Sequence, residues 1–203
     1  MKCRCLVSGR VLYSAGNKPV ALPMRITLKH STSKAQARLF FAVRPNDETR
    51  ERLARVQMTF DVGTARAVAP DNFHLTLAFL GEMSADKREC YAQAAGTVEI
   101  PTFSVTLDRF GYFDKRPLCW FGPSAIPIEL RTLHKRLVHA ITPCGYRDRR
   151  EFKPHVTLFR KAAGITPPDE TPAVELRVDR FFLVESVQKD DSVVYVPIEE
   201  YRN

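Results

Sequence analysis

A chain of 203 residues with 44% hydrophobic and 27% charged side chains can bury a sizeable core and has the composition of an ordinary globular domain. No apolar run approaches the length of a membrane-spanning helix. The net charge of +8 is unevenly placed: residues 1–36 carry seven Lys or Arg and no acid, whereas residues 37–203 hold 24 basic against 23 acidic side chains. Residues 1–36 therefore read as a basic extension, expected to be disordered, with Met24 available as an alternative start, and residues 37–203 as the folded domain. The head also has the look of an organelle-targeting peptide or a nucleic-acid-binding arm, but lacks the continuous apolar segment of a secretory signal. Five Cys (Cys3, Cys5, Cys90, Cys119, Cys144) are scattered without paired metal-ligand spacing. Reduced thiols in a cytoplasmic protein are expected.

Along the body, residues 38–43 are rich in strand formers and end before Pro45. Asn46 can cap a helix running to about Phe60, with Asp47 and Glu48 in its first turn. Pro70, Asp71 and Asn72 predict a turn, followed by a buried strand over 73–80 closed by Gly81. Ser84 is placed to cap a second helix ending near Gly96. Strands are expected over 102–110 and 118–121, with Gly111, Asp114 and Pro117 as turn residues between them. Leu130, Leu133, Leu137, Val138 and Ile141 recur at helical spacing, and Gly145 stops that helix. A strand over 152–159 follows, then a loop at Pro167 and Pro168, and a terminal hairpin from 174–187 and 192–196. The order predicts an α+β fold of two pseudo-symmetric lobes, each an antiparallel sheet with outer helices, around a central cleft.

One pattern occurs twice: His74-Leu75-Thr76-Leu77 and, 81 positions later, His155-Val156-Thr157-Leu158. Residues two apart on a strand share a face, so each copy presents an imidazole beside a hydroxyl and buries two aliphatic anchors. Chance would give two such copies among five His on the order of once in a thousand sequences. Residues 131–161 add nine basic side chains against two acidic ones, a local excess suited to a phosphate-bearing substrate. Two imidazoles on opposing strands suit a reaction in which one proton is removed and another delivered. Thr hydroxyls can donate to the phosphate oxygens where charge builds up. No Gly-rich phosphate loop or metal-ligand cluster accompanies them, which predicts hydrolysis of a phosphodiester without metal or other cofactor. His134 and His139, five apart on a helix, do not align and are assigned no site. Trp120 reads as core.

These paired motifs resemble those of the 2H phosphoesterase superfamily. The runs RLFFA at 38–42, PDNFHLTLAFLGE at 70–82 and FKPHVTLFR at 152–160 are similar to the bacterial RNA 2′,3′-cyclic phosphodiesterases, first named 2′-5′ RNA ligases. The resemblance covers residue 38 onward and leaves the head without an assignment. It implies opening of an RNA 2′,3′-cyclic phosphate to a 2′-phosphomonoester, with His155 as proton acceptor, His74 as proton donor, and Thr76 and Thr157 holding the phosphate. Arg160 and Lys153 are then candidates for substrate binding, and Phe41 (or Phe40) for stacking on a base. Arg160 lies five residues past His155, so it reaches the same face only if the strand ends or bulges first. The implied partner is an RNA or nucleotide with a cyclic phosphate end, with no membrane or protein partner and a monomeric state. Ligation by the same site, and a non-catalytic RNA-binding module, stay open.

Overall fold

The computed structural model describes residues 24–27, 37–115, 117–147, 151–190 and 192–203. Fourteen elements of strand or α-helix follow in chain order among the described residues. They are β1 (Met24–Thr27), β2 (Ala37–Val43), α1 (Asp47–Met58), β3 (Arg66–Ala67), β4 (Leu75–Met83), α2 (Ala85–Ala95), β5 (Phe103–Leu107), β6 (Arg109–Phe113), β7 (Leu118–Gly122), α3 (Ile128–Ile141), β8 (Val156–Arg160), β9 (Val174–Val178), β10 (Arg180–Lys189) and β11 (Ser192–Arg202), with a 3-10 turn at Pro70–Asn72. No helix among the described residues is long and apolar enough to cross a membrane.

Two antiparallel sheets in the order β1-β11-β10-β2-β4 and β8-β7-β6 form the lobes, and they join into one continuous surface where β4 meets β8. The join is a single bridge, Leu75 against Val156. All three helices bury their apolar stripes on one face of this surface, through residues such as Leu53 on α1, Ala92 on α2 and Leu133 on α3. Among the described residues the opposite face carries a small buried cluster of Phe40, Ala42 and Val184, flanked by Phe182 and Tyr195. That uncovered face is where side chains remain free for chemistry.

The helix starts follow their caps unequally. Asn46 accepts the Thr49 amide at 2.8 Å, as its position predicts, whereas the Ser84 side chain makes no capping bond. Gly145, at φ 94°, ends the turn after α3 in the left-handed region that Gly enters without strain. Two expected strands are each divided. The run over 102–110 breaks at Asp108 into β5 and β6, and that over 174–187 breaks at Asp179 into β9 and β10. In both, the first half leaves for a separate two-stranded sheet, β5 with β9. Alternation along a strand continues unbroken through such a crossing, so hydropathy does not mark it. Gly111, expected in a turn, lies inside β6, and β4 runs on through Gly81 to Met83. The basic head contributes Met24–Thr27 as an edge strand on β11, and its remaining residues lie outside those described.

The thiols differ from expectation. Cys90 and Cys144 form a disulfide that ties α2 to the turn after α3, with Cα atoms 5.8 Å apart. A sequence separation of 54 hides a contact that only the packing of the two helices creates. Cys119 is free and buried, and burial pushes its thiol up to about 11. Cys3 and Cys5 lie outside the described residues.

The helices also brace the motif strands, crosswise. In the register of β2 with β4, Phe41 faces Ala78 and Ala42 faces Thr76, which leaves Leu77 as an extra, bulged residue. In β7 with β8, Cys119 faces Phe159 and Trp120 faces Thr157, which leaves Leu158 in the same situation. At each bulge a buried side chain donates to the backbone carbonyl, joined at Leu158 by the Val68 amide. His134 on α3 donates from Nδ1 to Leu77 O at 2.9 Å, and Gln57 on α1 donates from Nε2 to Leu158 O at 2.7 Å. Thus the helix preceding the second motif holds the first motif strand, and the converse. His134 also stacks flat on Phe152, at 3.8 Å between centroids and 5° between planes. Replacing His134 by Ala should destabilise the fold by about 1–3 kcal/mol, because a buried carbonyl loses its donor. Urea unfolding of the variant checks this; a loss near zero would mean that the bond carries no weight.

Candidate active site

The bridge between Leu75 and Val156 fixes the relation of the two motifs. Residue numbers across an antiparallel ladder sum to a constant, so one step along sets His74 against Thr157, and a step the other way sets Thr76 against His155. Leu75 and Val156 point into the core at 0% exposure, which sends their four polar neighbours to the uncovered face. All four are half-buried. Each imidazole therefore stands across from the other motif's hydroxyl.

Both rings are oriented in the same way. His74 Nδ1 donates to Asn72 O at 2.7 Å, and His155 Nδ1 donates to Lys153 O at 2.6 Å. A carbonyl only accepts, so Nδ1 carries the hydrogen in each ring and Nε2 is left for exchange with a substrate. Aromatic walls hold the rings: Phe40 and Tyr195 each lie 4.8 Å from His74, and Phe113 and Trp120 lie 5.2 and 5.8 Å from His155. Trp120 is buried, as its sequence setting suggested, yet it belongs to the site face. Its ring lies flat over Gly111, where any Cβ would overlap it. This close approach is why β6 carries Gly there. Asn72 has a double role. Its carbonyl orients His74, while its side chain accepts the Tyr195 amide at 2.9 Å and donates to Val193 O at 2.7 Å, tying β11 to the first motif.

The remaining sequence candidates fare differently. The Leu158 bulge places Leu158 and Phe159 both in the core, so the following Arg160 emerges on the site face. There Arg160 Nη2 donates to Tyr195 Oη at 2.8 Å, reaching across to the other lobe. Phe41 does not belong to the site. It has no exposure and packs in the helix-side core against Phe181 and Tyr201, leaving no ring face for a base. Strand alternation gives the site face to Phe40 instead. Lys153 supplies its backbone carbonyl to His155, while its ammonium is exposed and paired with Glu151 at 3.1 Å. Sequence reading missed Asn72, Tyr195 and Arg44 as parts of the site. Only Asn72 carried a signal, being two residues before His74 as Lys153 is before His155.

Residues 45–190 match the 2′-5′ RNA ligase superfamily. An RNA 2′,3′-cyclic phosphodiesterase of Escherichia coli is 39% identical over 136 residues, which span 64% of this chain and 77% of that protein. One from Thermus thermophilus is 31% identical over 180 residues, spanning 81% and 89%. The crystal structure of E. coli LigT complexed with 3′-AMP superposes with a TM-score of 0.76 at 34% identity, covering 82% of this chain and 98% of LigT.

The chain belongs to the 2′-5′ RNA ligase superfamily. Within that superfamily's two-lobed fold, both imidazoles of this member are desolvated, and His74 also has cationic neighbours. Burial drives His74 down to about 4; the Asn72 carbonyl opposes this, and the charges of His155, Arg160 and Arg44 add to the fall. Burial also lowers His155, against the pull of the Lys153 carbonyl. In ¹⁵N spectra of His-labelled protein at pH 7.5, both rings should show a protonated Nδ1 and a bare Nε2. A ring with hydrogen on Nε2 would contradict the orientation described.

Proposed function

We propose that this superfamily member hydrolyses RNA 2′,3′-cyclic phosphate ends to 2′-phosphomonoesters by paired imidazole acid–base chemistry, as a cytoplasmic monomer needing no metal. The observation that carries the reading is the cross-strand arrangement of two Nδ1–H imidazoles, each opposite a Thr hydroxyl. Its similarity to proteins named RNA 2′,3′-cyclic phosphodiesterases supports the same substrate.

In this reading His155 Nε2 takes a proton from water as the water oxygen bonds to phosphorus. The P–O3′ bond breaks, and His74, entering the step as imidazolium, gives its Nε2 proton to the departing O3′. Proton exchange with solvent restores both rings. Thr76 and Thr157 donate to the non-bridging oxygens, and Arg160 offsets the charge that builds there. A bound phosphate anion stabilises the imidazolium of His74 and so reverses the depression it has in the free protein.

With excess chelator present, the product from adenosine 2′,3′-cyclic phosphate should be the 2′-monophosphate. A 3′-monophosphate, or activity abolished by chelation, would overturn the mechanism. Replacing His74 or His155 singly by Ala should each lower kcat by about 10²–10⁴-fold with the unfolding midpoint little changed. Parental turnover in either variant would break the pairing.

The pH dependence follows from the same rings. Turnover requires one proton shared between two groups that both titrate below 6.5, His74 at about 4. The singly protonated pair is lost as pH rises through the His155 value and again as it falls through the His74 value. The profile of kcat/KM should thus be a bell with its maximum on the acid side of 6.5, and kcat, reporting the complex with its anion, should peak at higher pH. A kcat/KM maximum above pH 7.5 would contradict this.

A further inference from the structure

The acid–base chemistry makes no use of the Cys90–Cys144 disulfide, yet the bond is built into the support of the second motif. Cys90 is exposed on α2 and Cys144 is half-buried, so a thiol in solution can reach the bond. The hold of α2 on its surroundings is otherwise slight. Its buried residues are Tyr91, Ala92 and Ala95, two of them small. Cys144 ends the turn that follows α3, so the bond fixes that end of α3 to α2. From α3 a chain of contacts leads to the site. His134 stacks flat on Phe152, and the next residue, Lys153, offers the carbonyl that takes the Nδ1 hydrogen of His155. His74 has a separate support. Its carbonyl partner, Asn72, is tied by its side chain to two backbone groups of β11. The two imidazoles therefore differ in their dependence on the bond.

We propose that the Cys90–Cys144 bond is a thiol-sensitive brace of the second motif: a dithiol reductant opens it, α3 slackens against α2, and His155 loses its fixed orientation while His74 keeps its own. The effect on turnover rests on the hydrolase reading, in which His155 activates the water. In a cytoplasmic protein, where thiols are kept reduced, a disulfide is usually transient and either catalytic or redox-sensing. This one lies on the helix face of the sheet, away from the imidazoles, which leaves sensing. Exposed bonds are also the ones that exchange readily. One thiolate of the reductant attacks a sulfur of the bond, forming a mixed disulfide and releasing the other cysteine as a thiolate. The second thiol of the reductant then displaces the remaining cysteine. The protein gains two electrons and two protons as a pair of thiols, and the dithiol leaves as its own disulfide. The bond spans a sequence separation of 54, so opening it also frees the unfolded chain and lowers stability.

The test uses full-length protein with Cys3→Ser and Cys5→Ser, which isolates the bond because Cys119 is buried. In that background the oxidised protein, the protein reduced with dithiothreitol and the Cys90→Ser variant are compared. Reduction should lower the melting midpoint by about 10 °C. Well below that midpoint, the ¹⁵N signals of the His155 ring should shift or broaden in the reduced and Cys90→Ser forms, with those of His74 unmoved. In both forms kcat for adenosine 2′,3′-cyclic phosphate should fall about fivefold, as a misplaced base requires. Reoxidation should restore the reduced protein and leave Cys90→Ser as it was. Identical His155 signals in the oxidised and reduced forms would overturn the brace. So would equal disturbance of both rings, which points to general loosening. An oxidised protein that turns over no cyclic phosphate would instead refute the hydrolase reading, and the His155 signals would still decide for or against the brace.

Discussion

One backbone pairing, Leu75 against Val156, organises the molecule. It is the sole bridge between β4 and β8, and it joins two sheets that otherwise have their own partners. Because the pairing is antiparallel, joining these two residues places each imidazole opposite the other motif's hydroxyl. A register shifted by one residue would send the four polar side chains into the core and the aliphatic anchors to solvent. Burial of Leu75, Leu77, Val156 and Leu158 makes such a shift costly, so the hydrophobic effect is what aligns the chemistry.

A single contact between two strands is a weak hinge unless something spans it. The crossed helices supply that span. Gln57 and His134 each reach from the helix of one motif to the carbonyl bulged out of the other motif's strand. The bulges are therefore part of the design of the site. They re-aim the chain after each Thr, and the buried donors tie each bulged carbonyl to the helix of the other lobe. The same device acting twice on unlike residues brings a guanidinium to the site face in one lobe and a phenyl ring in the other.

Burial disfavours protonated imidazole at both positions, and at His74 the charges of His155, Arg160 and Arg44 add to the effect. Asn72 and Lys153 carbonyls orient the rings and partly counter this, yet His74 still falls to about 4. Such a site is matched to an anion. The cations Arg160 and Arg44 repel a proton from His74, and in the proposed reaction a phosphate's charge would hold one there.

Much of this could be read from the chain alone. Repetition of His-apolar-Thr-apolar singled out the candidate groups, and alternation assigned their face, because both are properties of a few neighbouring residues. Helix starts at Asp47 and Ile128 and the hairpin that ends the chain were legible for the same local reason. The choice of Phe40 over Phe41 was not, since two adjacent strand formers look alike until one face is covered by helices. Nor were the crossings at Asp108 and Asp179, the Cys90–Cys144 bond, or the bulge that brings Arg160 round. The sequence by itself determined which side chains are candidates for the reaction and which faces they share. Tertiary structure alone decided that residues 81 positions apart oppose one another, that Arg160 joins them and that Phe41 does not, because strand register, bulge phase and helix cover come from contacts distant in the chain.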